Sequence, residues 1–156
     1  MPMYMRCVLA CVIVLSVSLP AVAQAQQPLD LPQGCQTGRL PTSDPQYPEQ
    51  LIFICLPLVN WNGRLVVYAH GYEAPQVLLA LPLDALTRPD ANGQPVFTPA
   101  VLLSQGFAFA TTSYRKNDYA IEQGSNDLNA LVEHFNTQVA PHPAMKVFVV
   151  GGSEGA

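Results

Sequence analysis

The sequence predicts an α/β domain, a mostly parallel sheet with helices packed on its faces. Short apolar, β-branched runs recur at 51–56, 64–69, 107–112 and 146–150. The last three are separated by helical patterns. Strands that alternate with helices favour parallel pairing, because each crossover packs a helix back onto the sheet.

The chain opens with a segment unlike the rest. From Met1 to Ala25 the only charge is Arg6, and Val8 to Leu19 is an apolar run broken only by Ser16 and Ser18. Pro20 ends it, and Ala21-Val22-Ala23 and Ala23-Gln24-Ala25 offer the small-x-small pattern that a signal peptidase needs. The run falls short of the about 20 apolar residues that span a bilayer. Residues 1–25 therefore read as a cleaved export signal, and the mature protein as secreted or periplasmic with no stable membrane span. An uncleaved anchor is the alternative. Lipidation at Cys11 is disfavoured because the apolar run continues past it. Cys7 and Cys11 would leave with the signal, whereas Cys35 and Cys55 remain as an even pair in an oxidising compartment. A disulfide between them is expected; the alternative is that Cys55 is simply a small buried hydrophobe.

Residues 26–49, rich in proline, glutamine and glycine, read as an irregular lead-in with at most a short strand near Thr37–Leu40. The domain proper is expected over 50–156. Leu51–Leu56 suits a buried strand, and Asn62-Gly63 a tight turn leading into the strand Arg64–Ala69, so the two strands read as a hairpin. A long mixed stretch, Tyr72 to Pro95, follows, with a turn cluster at Asp90-Ala91-Asn92-Gly93. Thr98-Pro99 reads as a capping hydroxyl and a first-turn proline, and Gly106 as the stop of that helix. The strand Phe107–Thr112 leads to a loop, and Ser125, Asn126 or Asp127 can cap a second helix. There Leu128, Leu131, Val132, Phe135 and Val139 form one apolar stripe at helical spacing. Pro141 and Pro143 break it. The final strand, Lys146–Val150, is apolar enough to be covered on both faces.

Composition narrows the function. Charged residues make up 12% of the chain against roughly 25% in soluble domains, the opposite of a disordered chain. A net charge of −4 supplies no basic field, so no nucleic-acid partner is expected. The Asp90–Gly93 cluster lacks the oxygen ligands of a calcium loop, and neither remaining cysteine has C-x-x-C spacing. No metal and no cofactor are expected.

Two motifs carry chemistry, both at the carboxyl ends of strands, where parallel sheets place their sites. Gly151-Gly152-Ser153-Glu154-Gly155 fits G-x-S-x-G directly after an apolar strand. A serine there needs a sharp bend that lifts its hydroxyl above the sheet edge, and flanking glycines make room for it. The competing explanation is a glycine-rich turn with an incidental serine. For Glu154 it is a carboxylate that merely favours a helix N-terminus. The second motif is His70-Gly71-Tyr72, which is uninformative alone.

In this order and spacing the two motifs resemble the first half of the α/β-hydrolase superfamily, over roughly residues 50–156. The resemblance implies Ser153 as nucleophile, with the backbone N–H groups of Tyr72 and Glu154 as oxyanion-hole donors. Phe107–Arg115 and the elbow also look like secreted esterases and the catalytic domains of prolyl-oligopeptidase-type peptidases. The expected partner is accordingly a small-molecule ester or a peptide. The peptidases usually carry a large extra domain ahead of the hydrolase part, whereas only about 25 residues stand between the expected signal and the first strand here, so the esterase is favoured.

In that superfamily the acid and the histidine follow the serine, yet His70, His134, His142, Asp118 and Asp127 all precede it. None is assigned as triad base or acid. The chain is expected to be an N-terminal fragment of a serine hydrolase, inactive as it stands. A short complete protein and a non-catalytic hydrolase-like binding domain are the alternatives. Substrate-binding residues are not legible, although Tyr114 and Tyr119 could line a pocket.

Overall fold

The computed structural model describes residues 31–155, so the expected export signal, with Cys7 and Cys11, lies outside the described residues. In chain order the strands are β1 (Cys35–Pro41), β2 (Glu49–Cys55), β3 (Arg64–Ala69), β4 (Thr87–Pro89) and β5 (Pro95–Phe97). Helix α1 (Thr98–Ser104), β6 (Ala108–Thr112), α2 (Ile121–His134) and β7 (Lys146–Gly151) follow. The main sheet has the order β1-β2-β6-β3-β7. β3 is parallel to both β6 and β7, and β2 is antiparallel to both β1 and β6. Four of the five strands thus point one way, a mixed but mostly parallel sheet.

Each face has its own core. Leu65, Val67, Ala108 and Ala110 point to the side covered by Leu131 and Phe135 of α2 and its extension. Phe53, Cys55 and Phe109 point to the other side, where Leu102 and Leu103 of α1 and Leu86 pack. This is the two-residue alternation of a strand. The two helices therefore lie on opposite faces, because the chain leaves β3 for one neighbour, β6, and then crosses back over to the other, β7. The strand order reverses at β3.

Several expectations are corrected. β2 and β3 do not form a hairpin, since β6 lies between them. Asn62-Gly63 instead pins a neighbouring turn: the Asn62 N–H donates to the Gly106 carbonyl at 2.9 Å, and its side-chain amide to that of Gln105 at 3.2 Å. The hairpin of the sheet is β1–β2, which pairs Cys35 with Cys55 in register and joins them by a disulfide. The lead-in therefore holds a full seven-residue edge strand; its mostly exposed side chains leave no apolar alternation to read. The stretch 72–97 is not wholly irregular either. β4 and β5 form a small hairpin around Asp90, whose carboxylate accepts the N–H groups of Asn92 and Gln94, both at 2.8 Å.

Helix boundaries moved as well. Thr98 lies inside α1, after the N-cap Phe97, and makes no capping bond. The C-terminus is as expected in kind: Gly106 takes φ +78°, donating to Leu103, while Phe107 donates to Leu102. That 5→2 and 6→1 pair is a Schellman motif, which needs a left-handed residue. α2 starts at Ile121, so Ser125, Asn126 and Asp127 cap nothing. β7 is not covered on both faces. It is an edge strand with all six residues exposed.

Candidate active site

Ala69 pairs with Gly151 at the end of the β3–β7 ladder. The segments His70-Gly71 and Gly152-Ser153 therefore leave the sheet side by side, at the edge where the strand order reverses. A Cβ added to Gly71 would stand 3.2 Å from the Gly152 carbonyl oxygen and 3.3 Å from the Ser153 Cβ. Nothing larger than glycine fits there without displacement. The two motifs are brought into contact.

Ser153 has φ +57° and opens a single 3₁₀ turn, Ser153–Gly155. A non-glycine residue in the left-handed region is uncommon and costs of order 1–3 kcal/mol, so it persists only where its surroundings enforce it. Gly155 is one enforcing element. A Cβ there would meet the carbonyl oxygen of Ala69 at 2.2 Å and that of His70 at 2.6 Å, so the turn is pressed directly against the β3 exit. Glu154 is another. Its carboxylate accepts the N–H of Ala120, the N-cap of α2, at 2.6 Å. This does across the fold what a capping-box glutamate does locally.

Tyr114 closes the circuit. Its ring stacks on His70, with centroids 4.0 Å apart, and its hydroxyl donates to the His70 carbonyl at 3.1 Å. The other side of the ring lies against Gly124 in the first turns of α2, where a Cβ would come within 3.2 Å. Burial, and then the negative charge of Glu154, pushes the Tyr114 hydroxyl up to about 12. Tyr114 and Asp118 also have positive φ, at 55° and 77°. Three left-handed non-glycine residues thus cluster at the carboxyl edge of the sheet.

A buried polar network holds the loop after β6. Asp127, fully buried, accepts the Arg115 N–H at 2.7 Å and its guanidinium at 2.5 and 2.9 Å. Gln50 donates to the Asp127 carbonyl at 3.3 Å and accepts the Thr112 hydroxyl. An ion pair this enclosed is costly to break from one side, by about 3–5 kcal/mol. The sequence offers Asp127 only as one of three candidate helix caps, with Ser125 and Asn126. The i, i+12 spacing of Arg115 and Asp127 carries no helical or strand signal by which to find the pair.

The remaining candidates separate clearly. Tyr72, 45% exposed, leans against Tyr119 with centroids 5.2 Å apart, beside the Gly71–Ser153 contact. His142 stacks on Trp61, which precedes β3 and so lies at the opposite edge of the sheet. His134 faces β1 and β2 beside Gln36 and Ile52. His70 is buried with Nδ1 2.7 Å from the Gly71 carbonyl oxygen. Among the described residues, no imidazole hydrogen-bonds to the Ser153 hydroxyl.

No family model and no curated protein matches the chain. Among solved structures it is similar to a glucuronoyl esterase from Solibacter usitatus, at 12% identity and a TM-score of 0.43. The match covers 83% of this chain and 48% of that one, so the chain spans about half the length of that structure.

Proposed function

We propose that Ser153 is the nucleophile of a serine hydrolase that cleaves carboxylic esters through an acyl-enzyme, in a secreted or periplasmic protein. The observation that carries this reading is the left-handed Ser153, held against Gly71 by a turn that only glycine at 155 permits. Such a bend lifts the hydroxyl off the sheet and exposes it to attack geometry. The backbone N–H groups of Tyr72 and Glu154, each next in sequence to the residues of the Gly71–Ser153 contact, would receive the developing oxyanion, typically the largest electrostatic contribution to acyl transfer. Hydrolysis of the acyl-enzyme then returns the serine.

A serine hydroxyl needs a base. No described histidine hydrogen-bonds to Ser153, so turnover on this reading requires an acid and a histidine from outside the described residues. The same machinery acting on a peptide bond is the alternative within this reading. A binding domain that has abandoned catalysis is the alternative outside it.

A fluorophosphonate probe tests the proposal in the protein extended through its downstream coding sequence. Labelling is expected, and Ser153→Ala should abolish it. Labelling that survives Ser153→Ala, or none in the extended protein, would sink the reading.

A further inference from the structure

On the reading proposed above, the two oxyanion donors stand on different segments. The Tyr72 N–H follows His70-Gly71 out of β3, and the Glu154 N–H belongs to the turn after β7. Two donors stabilise one oxyanion only when both point at the place where its charge develops, so the segments that carry them must keep a fixed spacing. The β3–β7 ladder ends at Ala69 and Gly151, before either donor. Beyond it, side chains hold the two segments.

Both segments are seated on the start of α2. The Glu154 carboxylate accepts the N–H of Ala120 at 2.6 Å, and Ala120 is buried, so the turn is tied to a fixed piece of main chain. The Tyr114 hydroxyl donates to the His70 carbonyl at 3.1 Å, and its ring rests against Gly124. Ala120 and Gly124 are themselves joined, the Gly124 N–H donating to the Ala120 carbonyl at 2.5 Å. One turn of helix carries both anchors.

The tether on the serine side acts directly on a donor. In Glu154 the N–H and the side chain spring from one Cα, so holding the carboxylate restrains the peptide that bears the N–H. That peptide follows Ser153, whose φ of +57° relaxes unless it is enforced. A cavity of about 240 Å³ adjoins the tether, lined by Ala69, Tyr114, Ala120, Leu128 and Gly155 among others. Packing alone therefore leaves the Glu154 side chain room to shift, and the hydrogen bond to Ala120 is what fixes it. Resting on the nucleophile reading of Ser153, we propose that the Glu154 carboxylate is a positioning group for acyl transfer. Through Ala120 it sets the Glu154 N–H against the Tyr72 N–H, with Tyr114 holding the other segment on the same helical turn.

The test is the rate at which a fluorophosphonate labels the protein extended through its downstream coding sequence, followed as a function of probe concentration. Glu154→Ala should lower the maximal rate about tenfold, a part of the 10²–10³ that follows loss of a whole oxyanion donor. The probe concentration giving half that rate should stay within about twofold. Glu154→Gln keeps an acceptor oxygen at the same reach and should recover most of the rate. Glu154→Asp keeps the charge but is one methylene shorter, and should be slowed nearly as much as Glu154→Ala. Val132→Ala, which removes core contacts near the far end of α2, should lower the urea midpoint and leave the labelling rate unchanged. Circular dichroism checks that each variant is folded, and Glu154→Asp against Glu154→Gln decides the matter should Glu154→Ala not fold. Equal rates in the Glu154 variants and the unaltered protein, or equal losses in Glu154→Gln and Glu154→Asp, would overturn the positioning role. So would a Val132→Ala variant slowed as much as Glu154→Asp, because the loss would then follow stability. An unaltered extended protein that does not label ends the nucleophile reading and this inference with it, whereas labelling at equal rates ends this inference alone.

Discussion

Ser153 cannot hold its backbone angle unaided, and the residues around it show what compels it. Gly155 is the sharpest case, since a methyl group there would overlap the Ala69 carbonyl. Gly155→Ala should lower stability by roughly 1–3 kcal/mol, as overpacking does, read from the urea midpoint. Gly152→Ala is the control, because nothing lies within 4 Å of the added atom, and it should be nearly neutral. Tyr114 yields a pH prediction. Its folded-state pKa, pushed up to about 12, exceeds the unfolded value near 10, so its contribution is full below pH 10 and lost as pH rises to 12. Unfolding midpoints should fall across that window, and Tyr114→Phe should flatten the fall. Ser153 and the His70-Gly71 pair were legible as motifs, for their residue types and spacing to strands are local facts. The stacking of Tyr114 on His70 was not, because it joins positions 44 apart through a loop with no periodicity.

At the scale of elements, strands and the apolar stripe of α2 were legible because alternation and three- to four-residue steps are written along the chain. Leu131 and Phe135 are fully buried, as that stripe requires. Pairing was not legible. Asn62-Gly63 has hairpin chemistry yet serves to hold the turn after α1, and the neighbour of β2 on its inner side, β6, begins more than 50 residues later. The start of α2 was missed for a related reason: its cap arrives from Glu154, more than 30 residues away, so no Ser, Thr, Asn or Asp marks it locally. Glu154→Ala should therefore loosen the first turn of α2. With about 1 kcal/mol lost, as for a missing cap, amide hydrogen exchange at Ala120 should quicken about fivefold. Glu154→Gln, which keeps an acceptor oxygen, should fall between.

At the scale of the molecule, the sheet of the described residues ends on an apolar strand, β7, whose residues are all exposed. Val149 is 62% exposed and Val150 53%, beside an unpaired row of backbone donors and acceptors. An edge of that kind is a template for pairing with another chain. The described chain should self-associate at micromolar concentration, and Val149→Lys should shift it toward monomer in sedimentation velocity. Unchanged association would show that β7 is not the contact. Fold class was legible at this scale from the succession of strands and helices. The reversal of strand order at β3, which puts the site where it is, depends on which neighbour each crossover chooses, and that choice rests on packing between distant residues.

The two faces of the sheet divide the labour at its carboxyl edge. The serine turn is anchored to the α2 face through Ala120, whereas Leu81, Leu83 and Leu86 seat the segment after Tyr72 on the α1 face. The two are joined by one loop, since Asn117 and Asp118 donate to the carbonyls of Glu73, Ala74 and Val77 while Ala120 donates to Glu154. An engineer who exchanges that segment must therefore keep those bonds to leave the serine turn undisturbed. On the proposed reading, a change made within that segment and away from those bonds would alter what meets the serine before it alters the serine itself.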